Sequence, residues 1–154
     1  MLNKLSIIAF IFLISCKSNS SNSSEIVFYT PEISISKNKS TIEILLYDYP
    51  DISGFQFDLV KNGDIDITSI NASLGLAEEH NFYITTSIHN LRILGISLTE
   101  AAIPPLSLDS NTLITLQLEY SEGFGELGIE NVILSGENGD EIEITTNPST
   151  ITIP

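Results

Sequence analysis

Ile52-Ser53-Gly54-Phe55-Gln56-Phe57-Asp58-Leu59 is the stretch on which the fold turns. Phe55, Phe57 and Leu59 alternate with Gln56 and Asp58. Successive side chains of a strand point to opposite faces, so this period puts three large apolar groups on one side and two polar groups on the other. The same period continues upstream, where Ile42, Ile44 and Leu46 alternate with Glu43, Leu45 and Tyr47, and Ile33 and Ile35 alternate with Ser34 and Ser36. Downstream, Ile65 and Ile67 alternate with Asp66 and Thr68, and the pattern recurs over 83–88, 91–98, 113–120, 129–134, 142–144 and 151–153. β-branched residues dominate these runs, as suits a pleated, half-buried surface. Turn formers separate them: Asn38-Lys39-Ser40, Pro50-Asp51, Asn62-Gly63, Asn90, Pro104-Pro105, the glycine-rich 123–128 and Glu137-Asn138-Gly139-Asp140. Roughly ten short strands at this spacing predict an all-β, two-sheet sandwich. Residues 72–80 predict one helical turn, with Leu74, Leu76 and Ala77 resting on a sheet edge. The pattern contains no long helix, second domain or solenoid repeat.

The N-terminal segment follows a different logic. Leu13-Ile14-Ser15-Cys16 ends an apolar run that begins at Leu5, after Lys4, and Cys16 is the sole cysteine. A basic start, a short apolar stretch and a small residue before cysteine form the pattern of a bacterial lipoprotein signal. The run falls short of the ~20 apolar residues of a membrane-spanning helix. The expectation is cleavage after residue 15 and acylation, palmitate included, at Cys16. Two or more chains, each buried CH₂ contributing ~0.8 kcal/mol, hold a protein stably on a bilayer. Residues 16–24 then form a Ser/Asn-rich flexible tether with too little apolar surface to order itself, and 25–154 the sandwich. The expected location is the cell envelope, at the outer membrane or cell surface. A bacterial setting makes the Asn-x-Ser matches at Asn19, Asn22, Asn38 and Asn71 accidental, and a lone cysteine excludes an internal disulfide.

The chain carries 20 acids against 6 bases, a net charge of −14, and every acid lies beyond Cys16. Such a surface repels nucleic acid and anionic headgroups. It solvates a strand-rich domain whose edges would otherwise associate.

Catalytic signals are weak. His80 and His89 stand in no metal-ligand spacing and beside no nucleophile turn. Asp64/Asp66, Glu78/Glu79 and Glu141/Glu143 are carboxylate pairs, but such pairs arise by chance on an acidic surface, and a glycosidase needs a cleft between its two acids. Calcium would suit Glu137-Asn138-Gly139-Asp140-Glu141, or Asn62-Gly63-Asp64 with Asp66, but neither has EF-hand spacing. No metal or other cofactor is expected, and no enzyme. Tyr47 and Tyr49 share a strand face by period two and offer a small platform for sugar stacking, or else pack at the sheet end; there is no tryptophan to enlarge it.

The order of four blocks carries a resemblance. Ile52 to Leu59 is followed by Leu91-Arg92-Ile93-Leu94-Gly95-Ile96-Ser97, by Leu113-Ile114-Thr115-Leu116-Gln117-Leu118, and by Ile129-Glu130-Asn131-Val132-Ile133-Leu134-Ser135 with Asn138-Gly139 and Ile142 behind it. Over 32–144 this order resembles the cohesin domain. The resemblance implies about nine strands with jelly-roll connections, related in shape to some carbohydrate-binding modules. It also implies a small protein partner of the dockerin kind on one sheet face, where Gln56 and Asp58 would be the contact residues. Where cohesins usually have a Tyr-Asp-Pro-like turn after this strand, the chain has Lys61-Asn62-Gly63-Asp64.

Asn62-Gly63 between alternating runs is also a hairpin signal. A hairpin would set Asp58 opposite Asp66, which is unfavourable, whereas the cohesin topology sends the two strands to different sheets; the crossing is the expectation adopted. Asn138-Gly139 raises the same question between Leu134 and Ile142. The predicted inward face comprises Phe55, Phe57, Leu59, Ile93, Leu116, Leu118 and Val132. Gln56 and Asp58 point outward, so arginine at both is expected to leave stability nearly unchanged. The functional expectation is a lipid-anchored, extracytoplasmic binding or scaffold module that recognises a dockerin-like protein. The alternatives are a carbohydrate-binding or adhesive module with a polysaccharide partner, and a structural subunit of an envelope complex.

Overall fold

A computed structural model describes residues 32–38, 41–105, 111–120, 123–146 and 150–153. Cys16, the signal and the tether of residues 1–24 lie outside these described residues. So do residues 25–31, at the start of the expected sandwich.

Alternating sequence becomes alternating burial. In β2 (Thr41–Tyr47), Ile42, Ile44 and Leu46 are buried while their neighbours are half exposed. Together with β1 (Glu32–Asn38), β7 (Asn111–Tyr120), β4 (Ile67–Ser73) and β10 (Thr145–Thr146), this strand builds a first sheet in the order β10-β1-β2-β7-β4. The second sheet runs β11-β8-β3-β6-β5. Its strands are β3 (Gly54–Gly63), β5 (Phe82–Ser87), β6 (Arg92–Ser97), β8 (Gly125–Ser135) and β11 (Ile151–Ile153), and the short β9 (Glu141–Ile142) is added against β8. Pairing is antiparallel except between β1 and β10. The chain passes repeatedly between the two sheets, from β2 to β3, β3 to β4, β4 to β5, β6 to β7 and β7 to β8, which gives the jelly-roll form of sandwich.

The two Asn-Gly turns resolve differently. After Asn62-Gly63 the chain leaves the second sheet for β4 of the first, so Asp58 does not meet Asp66; it lies opposite Arg92 and Glu130. After Asn138-Gly139 a hairpin does form, with Leu134 opposite Ile142.

The core lies between the sheets. Phe55, Phe57, Leu59, Ile93 and Leu116 are buried as expected, and Leu118 and Val132 are partly buried against them. Phe55 stacks with Phe57 at 6.2 Å and with Phe82 at 6.0 Å between centroids. This stack requires Gly95, because a Cβ there would run into the Phe55 ring. Ile52 and Ile103, both fully buried, exchange backbone hydrogen bonds of 2.8 and 3.0 Å. Thr86 of β5 donates to the Ile70 carbonyl of β4 at 3.2 Å and ties the two sheets at one edge.

Three expectations need correction. The helix, α1 (Gly75–Glu79), buries Leu76 and Ala77, but Leu74 does not rest on the sheet: it is 57% exposed at φ 61°. Its N–H donates to the Glu78 carboxylate at 2.6 Å, so Leu74 serves the helix start through its backbone. β8 begins at Gly125, inside the stretch expected to turn. Asp48, at φ 48°, breaks the period between Tyr47 and Tyr49, and Tyr49 turns into the core; the two tyrosines form no exposed platform.

Candidate functional site

The register of the second sheet fixes what its outer surface presents. Tyr83, Ile96, Gly54 and Ser135 make one row across β5, β6, β3 and β8. Thr85, Leu94, Gln56 and Ile133 make the next, followed by Ser87, Arg92, Asp58 and Glu130. Tyr83 is 57% exposed, Ile133 44% and Ile96 36%, while Leu94 and Gln56 are half buried. The first two rows carry no ionisable group except the Tyr83 phenol. Gly54 keeps the centre low: a Cβ there would stand 2.6 Å from Ser135 Oγ. The result is an exposed, locally uncharged and partly apolar surface on a chain of net charge −14, backed by the stacked rings of Phe55, Phe57 and Phe82.

Asp58 lies on this outer side, as its position in the alternation requires, but it is not free at the surface. Only 7% of the residue is exposed. Arg92 Nε donates to its Oδ1 at 2.6 Å and Arg92 Nη2 to its Oδ2 at 2.8 Å, a bidentate pair. Asn131 Nδ2 adds a third bond to Oδ2 at 3.0 Å. The β3–β8 register shifts between Gln56 and Asp58, and Asn131 sits at φ 51° in the extra stretch of β8. A bulge of this kind re-aims a side chain, here toward the carboxylate. The bonds from Arg92 hold the Asp58 carboxyl below the usual carboxylate range; burial opposes them, and Asn131 and the Arg92 charge reinforce them. The same pairing raises the Arg92 guanidinium. The expectation that Asp58→Arg leaves stability unchanged is therefore wrong. It would remove a satisfied, buried carboxylate and set a second cation against Arg92.

Gln56 and Asp58 are brought onto one face, and Arg92 and Asn131 join them. A signal for Arg92 was present: it is the chain's sole arginine, on the polar phase of its strand beside inward Ile93. Asn131 had a weaker one, since 129–134 breaks strict alternation there.

The remaining candidates do not assemble. Among the described residues no group of three or more His, Cys, Asp or Glu is placed to hold a metal. His80 is half buried and His89 exposed, and both lie outside the face. Asp64, Asp66, Glu137, Asp140, Glu141 and Glu143 are all exposed. No described helix is long and apolar enough to cross a membrane.

The outer side of the first sheet is different in kind. It presents Glu43 and Ser73 on either side of the buried Thr115 in one row, Asn71 with Gln117 in another, and Ser69 with Glu119 in a third. Leu45 and Tyr47 stand half exposed on the same phase of β2 as Glu43.

Neither a protein-family model nor a curated protein matches the sequence. Solved structures match the fold. The cohesin of a type I cohesin–dockerin complex from Clostridium thermocellum superposes with a TM-score of 0.57 at 9% identity, over 80% of this chain and 93% of that one. A non-cellulosomal cohesin from Archaeoglobus fulgidus gives 0.57 at 12% identity, over 82% and 92%. A type II cohesin domain from the cellulosome of Acetivibrio cellulolyticus gives 0.53 at 12%, over 81% and 95%. The chain thus has a cohesin-like β-sandwich fold.

Proposed function

We propose that this chain is a non-catalytic protein-binding module that takes a dockerin-like partner on the outer face of β8, β3, β6 and β5, and that Cys16 acylation holds it at the cell envelope. The observation that carries the reading is the uncharged surface of Tyr83, Ile96, Leu94, Gln56 and Ile133. Exposed apolar groups gathered on one face mark interaction sites, and depletion of charge is the compositional mark of an interface centre. The cohesin-like fold supports the choice of partner: a neighbour of the same shape was solved in complex with a dockerin. Arg92 stands at the rim, already oriented by Asp58, with N–H groups to spare for a partner's carbonyl or carboxylate. The lipid anchor rests on Lys4, the apolar run and Leu13-Ile14-Ser15-Cys16.

Affinity capture from the producing cells, using the full chain and its Ile96→Glu/Ile133→Glu variant, tests the binding face. The expected result is a stoichiometric protein recovered by the wild type and lost by the variant. Equal recovery of that protein by both would remove this face. Cys16→Ser is expected to leave the membrane fraction or to retain an uncleaved signal. Normal processing with unchanged membrane retention would end the lipid-anchor reading.

A further inference from the structure

Beyond the uncharged rows, the second sheet's outer face ends in a trough. Val60 of β3 lies opposite Gly128 of β8, and Asn62 opposite Glu126; Thr152 of β11 pairs with Glu126 from the other side. Gly128 has no side chain, so the floor is open backbone. Two adjoining hollows that share Asn62 and Glu126, of about 260 and 380 Å³, run along it. At the far end stands Phe124, 76% exposed.

The backbone holds that ring in water. The Asp64 N–H donates to the Phe124 carbonyl at 3.2 Å. Gly123, at φ 146°, fits against the Asp64 carbonyl, and Gly125 against the Asn62 carbonyl, where a Cβ at either would collide. The segment is therefore pinned on both sides of Phe124, and the ring forgoes burial.

We infer that this trough, at the end of the same outer face and beyond the uncharged rows, is a second binding site, for a neutral oligosaccharide. A sugar ring has an apolar C–H face to lie on an aromatic ring and a rim of hydroxyls that need donors and acceptors. Phe124 supplies the first; the Asn62 amide, the Glu126 carboxylate and the Thr150 hydroxyl line the same hollows and supply the second. The charge of the trough selects among glycans. Glu126 and Glu130 both line it, while Lys61 lies on the opposite phase of β3, across from inward Leu127, and Arg92 is paired with Asp58, so uronic and sulfated sugars are repelled. The trough holds its ligand without cleaving it. Glu126 and Glu130 stand four residues apart on one strand, about 13 Å, beyond the separation at which two carboxylates hydrolyse a glycosidic bond.

The test is an amide-shift titration of the ¹⁵N-labelled full chain with cellohexaose, xylohexaose, mannohexaose and chitohexaose, with a polygalacturonate hexamer as the anionic control. At least one neutral hexamer is expected to shift Gly125, Glu126, Gly128 and Thr152 saturably, and the anionic hexamer to leave them still. Phe124→Ala is expected to weaken binding about tenfold or more with an unchanged melting temperature, because the ring packs on little; Phe124→Trp is expected to retain it. The inference is overturned if no neutral hexamer moves these amides, if Phe124→Ala binds like the wild type, or if the anionic hexamer binds equally well.

Discussion

The outer faces of the two sheets are built from strands of the same period and similar length, yet they differ in where charge stands: carboxylates lie among the rows of one and are missing from the first two rows of the other. One carries Glu43, Ser69, Asn71, Gln117 and Glu119 across β2, β7 and β4, with Leu45 and Tyr47 half exposed at one end of β2. The other carries Tyr83, Leu94, Ile96 and Ile133, with its central acid withdrawn into a pair with Arg92. On an acidic chain, a sheet face whose centre carries no charge is the one suited to a partner. Charge alone does not mark it: Asp58 lies there, cancelled by a neighbour two strands' width of sequence away.

The comparison can be broken at its base, because both faces share one core. Phe57 is fully buried between them and touches the Phe55 stack. Phe57→Ala is expected to cost about 3–5 kcal/mol through the cavity it leaves, read as a lower denaturant midpoint with an unchanged slope. A loss under about 1 kcal/mol would mean that the sheets do not pack through this ring. A smaller effect separates the faces. Gln56→Arg, at the centre of the uncharged surface, is expected to weaken the captured partner by about tenfold or more, as a change at an interface centre does. Gln117→Arg, on the polar face, is expected to leave it unchanged. Equal losses would show that charge, and not the face, governs binding.

The smallest effect concerns Asp58. Its native carboxyl is held below the ordinary value, so its contribution to stability is complete above the unfolded pKa, about 3.9, and is lost as pH falls through the depressed native value. Between pH 5 and 2 the wild type is expected to lose stability more steeply than Asp58→Asn, which has no proton to take up there. Parallel pH profiles would mean that the pair does not persist in solution.

Much of the sandwich was legible because period two in the sequence is period two in space: Phe55, Phe57, Leu59 and Ile93 needed no tertiary information. The misses share a physical cause. Asp48 in a left-handed conformation reverses the phase between Tyr47 and Tyr49, and a single out-of-phase residue is invisible to a periodic reading. Gly125 to Gly128 looked like a turn because glycine is common in turns; here the glycines allow β8 to pass close to β3. Local sequence could not decide between Asn62-Gly63 and Asn138-Gly139, since the outcome rests on what the following strand pairs with. Asp58 was placed on the correct side and given the wrong environment, because its burial depends on Arg92 from β6 and Asn131 from a bulge, neither of them near it in sequence.

The placement of β1 has a mechanical consequence. All seven of its residues pair with β2, and its first two also pair with β10 on the other side, so the strand is gripped from both flanks where the chain enters it. Strand hydrogen bonds lie across the strand axis. A pull along the chain ahead of Glu32 therefore loads these rungs together in shear, where a pull across an edge such as β5 would part them singly. Resistance to such a load is a matter of unfolding rate, not of equilibrium stability. A module held by its N-terminal side and tugged through a bound partner meets that force first at a strand paired along its whole length with β2.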